Sequence, residues 1–338
     1  MVRTPAIMVY PVTYRCNARC IMCSIWKKRG YEDELTFAEL EKLCGSPLLQ
    51  ASVRKINLTG GECFLRDDIC GIVELLARRF KNLREIGLAS NGFMPDMVVK
   101  TVERMIASVL PTDIALSIGI SLDGFGAVHD RVRGVPGGFA KAGETIRRLK
   151  ELESLYWPRF GVSVGTNINA VSCESLDETC EFLRKNDIHA TFTPAVVSDL
   201  FFDNTAGSTG FELTEEQKGK AVRFFDGLRK RGAIDGFYHK FAKTWLLKSR
   251  RSAGCPFQDR GFFLDANGDV YPCKSFRKFR LGNIRDRSFD DIWRNTQTQK
   301  IYDLMRPHCK HCGCNCFLYE ARPAQRLYEG VRKIITGR

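Results

Sequence analysis

Between residues 50 and 193 the chain alternates short apolar runs, rich in β-branched residues, with longer stretches whose apolar positions recur every three or four residues. The short runs, at 55–59, 85–90, 114–121, 160–168 and 190–193, predict strands. The longer stretches predict helices. Thr36-Phe37-Ala38-Glu39 has the form of a capping box and predicts a helix running toward Leu49. Over residues 67–80, Ile69, Ile72, Val73, Leu76 and Phe80 fall on one helical face. Further helices are predicted at 95–108, 139–152 and 175–185. A strand followed by a helix, repeated, predicts parallel βα units, and hence a barrel or an open doubly wound sheet.

Residues 198–212, with Ser, Asp, Asn, Gly, Thr and the paired Phe201-Phe202, interrupt that rhythm as a long loop. Thr214-Glu215-Glu216-Gln217 then caps another helix. Beyond Cys255 the pattern changes to short strands, turns and cysteines. Residues 262–265 and 269–272 flank Ala266-Asn267-Gly268 as a hairpin, and Ser288-Phe289-Asp290-Asp291 opens a further helix. A boundary is expected near residue 250.

Composition narrows the class. Of 338 residues, 44% are hydrophobic and 27% charged, enough apolar material for a substantial core. No run approaches the roughly 20 apolar residues that span a bilayer, and the N-terminus lacks a secretion signal. A soluble, cytoplasmic protein is expected. The net charge of +13 invites a nucleic-acid or membrane partner. Its basic clusters, Lys27-Lys28-Arg29, Arg147-Arg148 and Arg250-Arg251, are short and scattered, which fits a solvated surface. No specific nucleic-acid partner is expected.

The fourteen cysteines carry the chemistry. Three lie within residues 16–23, six between 255 and 316, and five are spread between. Cys44, Cys63, Cys70, Cys173 and Cys180 fall in helical or strand patterns and read as core. Cys16, Cys20 and Cys23 form a CxxxCxxC loop after an apolar run. Three thiolates can hold a 4Fe–4S cluster and leave one iron open to an outside ligand. Zinc fits this loop less well, since structural sites take four ligands, commonly from CxxC pairs. Leu58-Thr59-Gly60-Gly61-Glu62 follows at a strand end. Its glycines permit close backbone approach, and its carboxylate can meet an ammonium group.

The cysteine loop and the Gly-Gly-Glu turn together resemble the radical S-adenosylmethionine (SAM) superfamily. The resemblance covers residues 8–195 and implies a partial (β/α)6 TIM-like barrel. One residue departs from the pattern: Met22 stands before the third cysteine, where the family often has an aromatic. The resemblance further implies that SAM takes the open iron. It assigns Gly60, Gly61 and Glu62 to the methionyl ammonium, and Ser90, Asn91, Ser121, Asp123 and Asn167 to ribose and carboxylate contacts at strand ends. An electron from a flavodoxin- or ferredoxin-type donor would cleave SAM to methionine and a 5′-deoxyadenosyl radical, which removes hydrogen from an unactivated carbon.

Cys255, Cys273 and the run Cys309-Lys310-His311-Cys312-Gly313-Cys314-Asn315-Cys316 resemble the Twitch or SPASM extension of that superfamily, a small cysteine-rich α+β unit holding auxiliary 4Fe–4S clusters. Six cysteines are too few for two fully ligated clusters. One auxiliary cluster on Cys255, Cys273, Cys309 and Cys312 is expected, with Cys316 as the alternative to Cys312. The expected organisation is a core barrel over 1–213, a helical linker over 214–250, the auxiliary domain over 251–320 and a tail over 321–338. With the cysteine loop beginning at residue 16, no peptide-recognition domain is expected before it. That favours a sugar, cyclitol or lipid-precursor substrate, with peptides as the other possibility. Asp199, Asp203, Tyr238 and His239 are candidates for a base near the barrel mouth; His129 and His189 have no evident role. A non-catalytic zinc protein associated with nucleic acid is the competing reading.

Overall fold

The computed structural model describes residues 4–205, 210–315 and 317–321. Cys316 and the tail beyond residue 321 lie outside them. Strand β1 (Ile7–Thr13) is buried at every position. Beside it, in order, run β2 (Lys55–Gly60), β3 (Glu85–Ser90), β4 (Ala115–Ser121), β5 (Phe160–Ile168) and β6 (Ala190–Pro194), all parallel. On the other side of β1, β7 (Gly261–Leu264) is parallel to Ile7–Val9. The short β8 (Asp269–Tyr271) and β9 (Gly282–Asn283) then add antiparallel. The order β6-β5-β4-β3-β2-β1-β7-β8-β9 describes an open sheet, a partial barrel with the C-terminal extension joined to its first strand. Pro11, which has no N–H to donate, falls on β1 past the reach of β7.

Every expected strand is present. In β4, Leu116, Ile118 and Ile120 are buried, while Ala115, Ser117, Gly119 and Ser121 between them are only half-buried. The apolar face lies beneath α4 (Pro95–Val109), whose Val98, Val102, Met105 and Ile106 are buried. Burying each such side chain contributes about 1.5–3 kcal/mol. The opposite face of β4, Ala115, Ser117, Gly119 and Ser121, is small, which leaves room at its C-terminal end.

The remaining helices are α1 (Phe37–Cys44), α2 (Pro47–Ser52), α3 (Ile69–Arg79), α5 (Ala127–Arg133), α6 (Gly138–Tyr156), α7 (Leu176–Lys185), α8 (Glu215–Lys230), α9 (Gly236–Lys248), α10 (Phe289–Arg294) and α11 (Thr296–Met305). Two differ from expectation. The helix from Thr36 toward Leu49 stops at Cys44 and restarts at Pro47. Pro47 disfavours helical geometry at Ser46, and the Ser46 hydroxyl instead accepts from Leu49 N at 3.1 Å, capping α2. Helix α5 was not expected; it is a seven-residue element bounded by Gly126 and Gly134, both at positive φ. No described helix is long and apolar enough to cross a membrane.

Candidate active site

The cysteine loop leaves β1 at Thr13 and is sewn to the Gly-Gly-Glu turn by backbone bonds. Gly61 N donates to Thr13 O and Glu62 N to Arg15 O, both at 2.8 Å. The contact is close enough that only glycine fits. A Cβ on Gly60, whose φ is +133°, would lie 2.1 Å from Thr13 O, and one on Gly61 would lie 2.2 Å from Arg15 O. Gly61→Ala is therefore expected to push the loop away, costing about 1–3 kcal/mol of stability. Iron content after anaerobic reconstitution, compared with wild type, measures the displacement; an unchanged value would refute it.

Arg19 N and Ile21 N donate to Arg133 O and Val132 O at 2.9 and 3.0 Å, so the end of α5 holds the loop from its other side. Asn91 Nδ2 donates to Asn17 Oδ1 at 2.7 Å, tying the loop to the end of β3. These contacts place Cys16, Cys20 and Cys23 on the wall of a cavity of about 360 Å³. Gly60, Gly61, Ser90, Asn91, Ser121, Asp123 and Asn167 line the same cavity. The C-terminal edge of a parallel sheet is where such folds gather their ligands.

Glu62 is the exception among the expected SAM contacts. Its carboxylate is fully buried and faces away from the cavity wall, accepting from Ser90 Oγ at 2.9 Å, Asn91 N at 2.7 Å and Phe64 N at 3.3 Å. Burial raises its pKa, against the pull of those hydrogen bonds. In this arrangement Glu62 braces the ends of β2 and β3, and the Gly60-Gly61 backbone is what borders the cavity.

Arg133, Asp123 and His129 form a buried network that the sequence did not reveal. Arg133 Nη2 lies 2.6 Å from Asp123 Oδ2, with the carboxylate wholly buried. Arg133 Nη1 donates to Cys20 Sγ at 3.7 Å. Burial raises the Asp123 pKa, and Arg133 opposes that rise. Asp123 Oδ1 accepts from Asn167 N at 2.6 Å. His129 Nδ1 accepts from Asp123 N at 2.9 Å; burial, with Arg133 nearby, lowers its pKa to about 3. The imidazole is thus neutral, with its proton on Nε2, and its ring packs edge-on against those of Phe93 and Phe139.

The loop thiols are themselves set for ligation on assembly only. Burial raises Cys16 to about 11 and Cys23 to about 12, and raises Cys20 as well. Cluster binding requires thiolates, so it must release protons here. Among the described residues, no three cysteine, histidine or carboxylate side chains close on a point fit for a single ion. Three thiols on one wall suit a cubane, which spreads its ligands over separate irons.

The second cysteine group also gathers. Burial raises Cys255 to about 12, reinforced by Cys312 and Cys309; Cys273 is raised by burial and by Cys312 and Cys255. Cys255 and Cys312 are thus each close enough to the other expected cysteines to act on them electrostatically. Cys314 borders a cleft lined also by His311, Cys312 and Trp245. Arg251, read in sequence as part of a solvated basic pair, is buried. Its main-chain N donates to Lys310 O, and its guanidinium donates to Gly254 O, both at 2.8 Å, and to Cys314 O. It thereby fastens the 309–314 run beside Cys255.

The base candidates do not line the cavity. Tyr238 donates to Phe192 O at 2.6 Å, His239 pairs with Asp226 between α8 and α9, and Asp199 and Asp203 engage Arg277. From the same 198–212 segment, Phe201 and Phe202 do line it, together with Lys274, next to Cys273. Lys274 Nζ sits 5.3 Å from each phenyl ring. Cys44, Cys63 and Cys173 are buried, and Cys70 and Cys180 half-buried.

An open parallel barrel, three thiols on the cavity wall and a glycine cradle beside them define an iron–sulfur protein with a nucleotide-sized cavity. Residues 10–186 match the radical SAM superfamily and residues 255–315 match the SPASM iron–sulfur cluster-binding domain. The chain belongs to the radical SAM superfamily, and its cofactors are SAM and 4Fe–4S clusters. It is 30% identical to the pre-heme d1 synthase of Dinoroseobacter shibae over 346 residues, covering 93% of this chain and 80% of that one. It is 23% identical to the antilisterial bacteriocin subtilosin biosynthesis protein AlbA of Bacillus subtilis, covering 91% of this chain and 64% of AlbA's length. Among solved structures, anSMEcpe with bound AdoMet and the Cp18Cys peptide superposes with a TM-score of 0.65 at 19% identity, over 88% of this chain and 82% of that one. Membership of an enzyme family displaces the reading as a zinc protein without catalysis.

Proposed function

We propose that this radical SAM enzyme abstracts hydrogen from a substrate held between the barrel mouth and Phe201, Phe202 and Lys274. One observation carries the reading: the expected cluster cysteines, the strand-end polar residues and these three side chains border one cavity. Bound there, SAM and the 4Fe–4S cluster on Cys16, Cys20 and Cys23 supply a 5′-deoxyadenosyl radical. The chain's own residues do the rest. Gly60 and Gly61 let the backbone approach the cofactor. Ser90, Asn91, Ser121, Asp123 and Asn167 offer polar contacts at the strand ends. The phenyl rings exclude water from the reacting carbon. In the auxiliary domain, Cys255, Cys273, Cys309 and Cys312 would hold a second cluster; Lys274, adjoining Cys273, brings that domain to the substrate, which suits a net two-electron oxidation. The core over 1–213, the linker over 214–250 and the domain over 251–320 describe this division of labour.

A peptide is the substrate class we favour. A second cleft of about 320 Å³ borders Pro194–Val197, Trp245 and Phe276. Consecutive residues divide between the two spaces, with Thr193 and Lys274 on the cavity and Pro194 and Ser275 on the cleft. An extended chain in the cleft could send one side chain inward. Similarity to a pre-heme d1 synthase supports a second reading, a carboxylated tetrapyrrole set against Phe201, Phe202 and Lys274. Anaerobic release of 5′-deoxyadenosine from the reconstituted enzyme tests both. The correct substrate raises the release rate and passes its deuterium into 5′-deoxyadenosine; failure with every peptide and tetrapyrrole offered would sink the proposal.

A further inference from the structure

Residues 198–204, which the sequence shows only as part of a loop, fold into a strap that closes on itself. Ser198 N donates to Asn204 Oδ1 at 2.9 Å, and Asn204 N donates to Ser198 O at 3.3 Å. Both residues are buried. The strap carries Phe201 and Phe202, whose rings lie 4.9 Å apart and border the cavity that the three loop cysteines line. Phe201 also packs against Phe263 of β7, with 5.8 Å between ring centres.

The strap is fastened on two sides. Toward the auxiliary domain, Lys274 O accepts from Ser198 Oγ at 2.8 Å and from Phe201 N at 3.2 Å, and Arg277 N donates to Asp199 Oδ1 at 2.9 Å. Toward the cysteine loop, Ser24 N donates to Phe202 O at 2.9 Å and Lys28 Nζ to Leu200 O at 3.1 Å. The Asn204 side chain completes the second side. Its Nδ2 donates to Met22 O at 2.9 Å and to Val196 O at 3.2 Å. Met22 stands between Cys20 and Cys23 and lines the cavity, whereas Val196 lines the second cleft.

The chemistry of these partners selects asparagine. Ser198 N needs an acceptor while Met22 O and Val196 O need donors, and one planar amide supplies all of them. Aspartate has no hydrogen to give the two carbonyls, and alanine would leave buried groups unpaired. Asn204 does not itself line the cavity, so it acts through what it holds.

We infer that Asn204 is a positioning residue for the radical reaction: by latching the strap to the span between Cys20 and Cys23, it fixes Phe201 and Phe202 as a roof over the cluster site. This rests on the proposed reading of the cavity as the place where SAM is cleaved. A radical formed there reacts with whatever C–H bond reaches it, so a roof held in place over the cluster keeps buffer out and leaves the substrate as the hydrogen donor. Because the same amide holds Val196, the wall of the second cleft and the roof of the cavity share one anchor.

The test uses the reconstituted holoenzyme as Asn204→Ala and as the isosteric Asn204→Asp, which keeps the acceptor for Ser198 N and loses both donors. Iron release to bathophenanthroline disulfonate under anaerobic dithionite is timed for each. The same measurement in a Cys16→Ala/Cys20→Ala/Cys23→Ala background isolates the auxiliary iron. Without its two buried donors the strap should open about 5- to 50-fold more often, and iron should leave the Cys16, Cys20 and Cys23 site faster by a like factor. Auxiliary iron should leave within about twofold of the wild-type rate, since the opening is local. With SAM, dithionite and no substrate, 5′-deoxyadenosine should form several-fold faster as buffer carbon reaches the radical.

Wild-type iron release in both variants would overturn the inference. So would equal acceleration at both sites, which would mean a general loosening of the fold. Faster release with unchanged substrate-free 5′-deoxyadenosine would confine Asn204 to the fold and overturn its part in the reaction. If neither variant loads iron, hydrogen exchange of the wild-type holoenzyme decides. Residues 22–24 and 198–204 should exchange as one unit, and a strap exchanging about tenfold faster than the loop would overturn the latch. Failure of the underlying reading looks different: the wild-type enzyme would then make no 5′-deoxyadenosine from SAM, whatever its iron kinetics.

Discussion

Replacing Cys16, Cys20 and Cys23 together with alanine is expected to abolish 5′-deoxyadenosine formation. Iron should fall from about eight to about four atoms per chain. The argument is geometric. The three thiols share one cavity wall, held by backbone bonds to the Gly-Gly-Glu turn and to α5. The auxiliary cysteines belong to another neighbourhood, where Cys255 and Cys312 each act on Cys273 and Cys309. Losing one set should leave the other able to bind. Iron analysis with electron paramagnetic resonance of the reduced protein checks this. Loss of all iron would show that the sites assemble as a unit, and retention of eight would refute the ligand assignment.

Arg133→Met should cost about 3–5 kcal/mol, because it leaves the Asp123 carboxylate buried without its cation. For a chain of this size that lowers the Tm by roughly 4–7 °C. The double variant Asp123→Asn/Arg133→Met should recover much of the loss, since no unpaired charge then remains in the interior. The same substitution removes the donor to Cys20 Sγ. Without that nearby positive charge, the cluster's midpoint potential should move negative. Thermal denaturation of the three proteins, with a redox titration of Arg133→Met, separates the two effects. A single variant as stable as wild type would mean the pair contributes nothing to the fold.

Much of the barrel and both cysteine sets were readable in the chain. Strand and helix signals are local: apolar residues alternating in β4 or recurring along α4 reflect the geometry of a few neighbouring turns. The break between α1 and α2 was readable too, in Ser46-Pro47, but the longer apolar pattern masked it. Helix α5 is too short for periodicity to register, with only His129 and Val132 fully buried in it. The sequence places Glu62 in the turn that meets the cysteine loop, but the direction of its carboxylate depends on Ser90 and Asn91, far along the chain. Arg251 looked like surface charge because its partners, Gly254, Lys310 and Cys314, are brought to it only by folding. The base candidates are engaged by partners away from the cavity, which Phe201, Phe202 and Lys274 border.

The amino-acid sequence alone determined the βα rhythm, the three-cysteine loop, the glycine turn and the cysteine-rich C-terminal region, and with them the superfamily. These features depend on periodicity and on spacing within a few residues, where backbone geometry permits few alternatives. Tertiary structure alone decided that Arg133 joins Asp123 to Cys20, that Glu62 turns from the cavity, and that Arg251 is buried against Gly254 and Cys314. Burial sets the energy of each of these contacts. A charge or thiol removed from water must find its partner wherever the fold brings one, however distant in sequence.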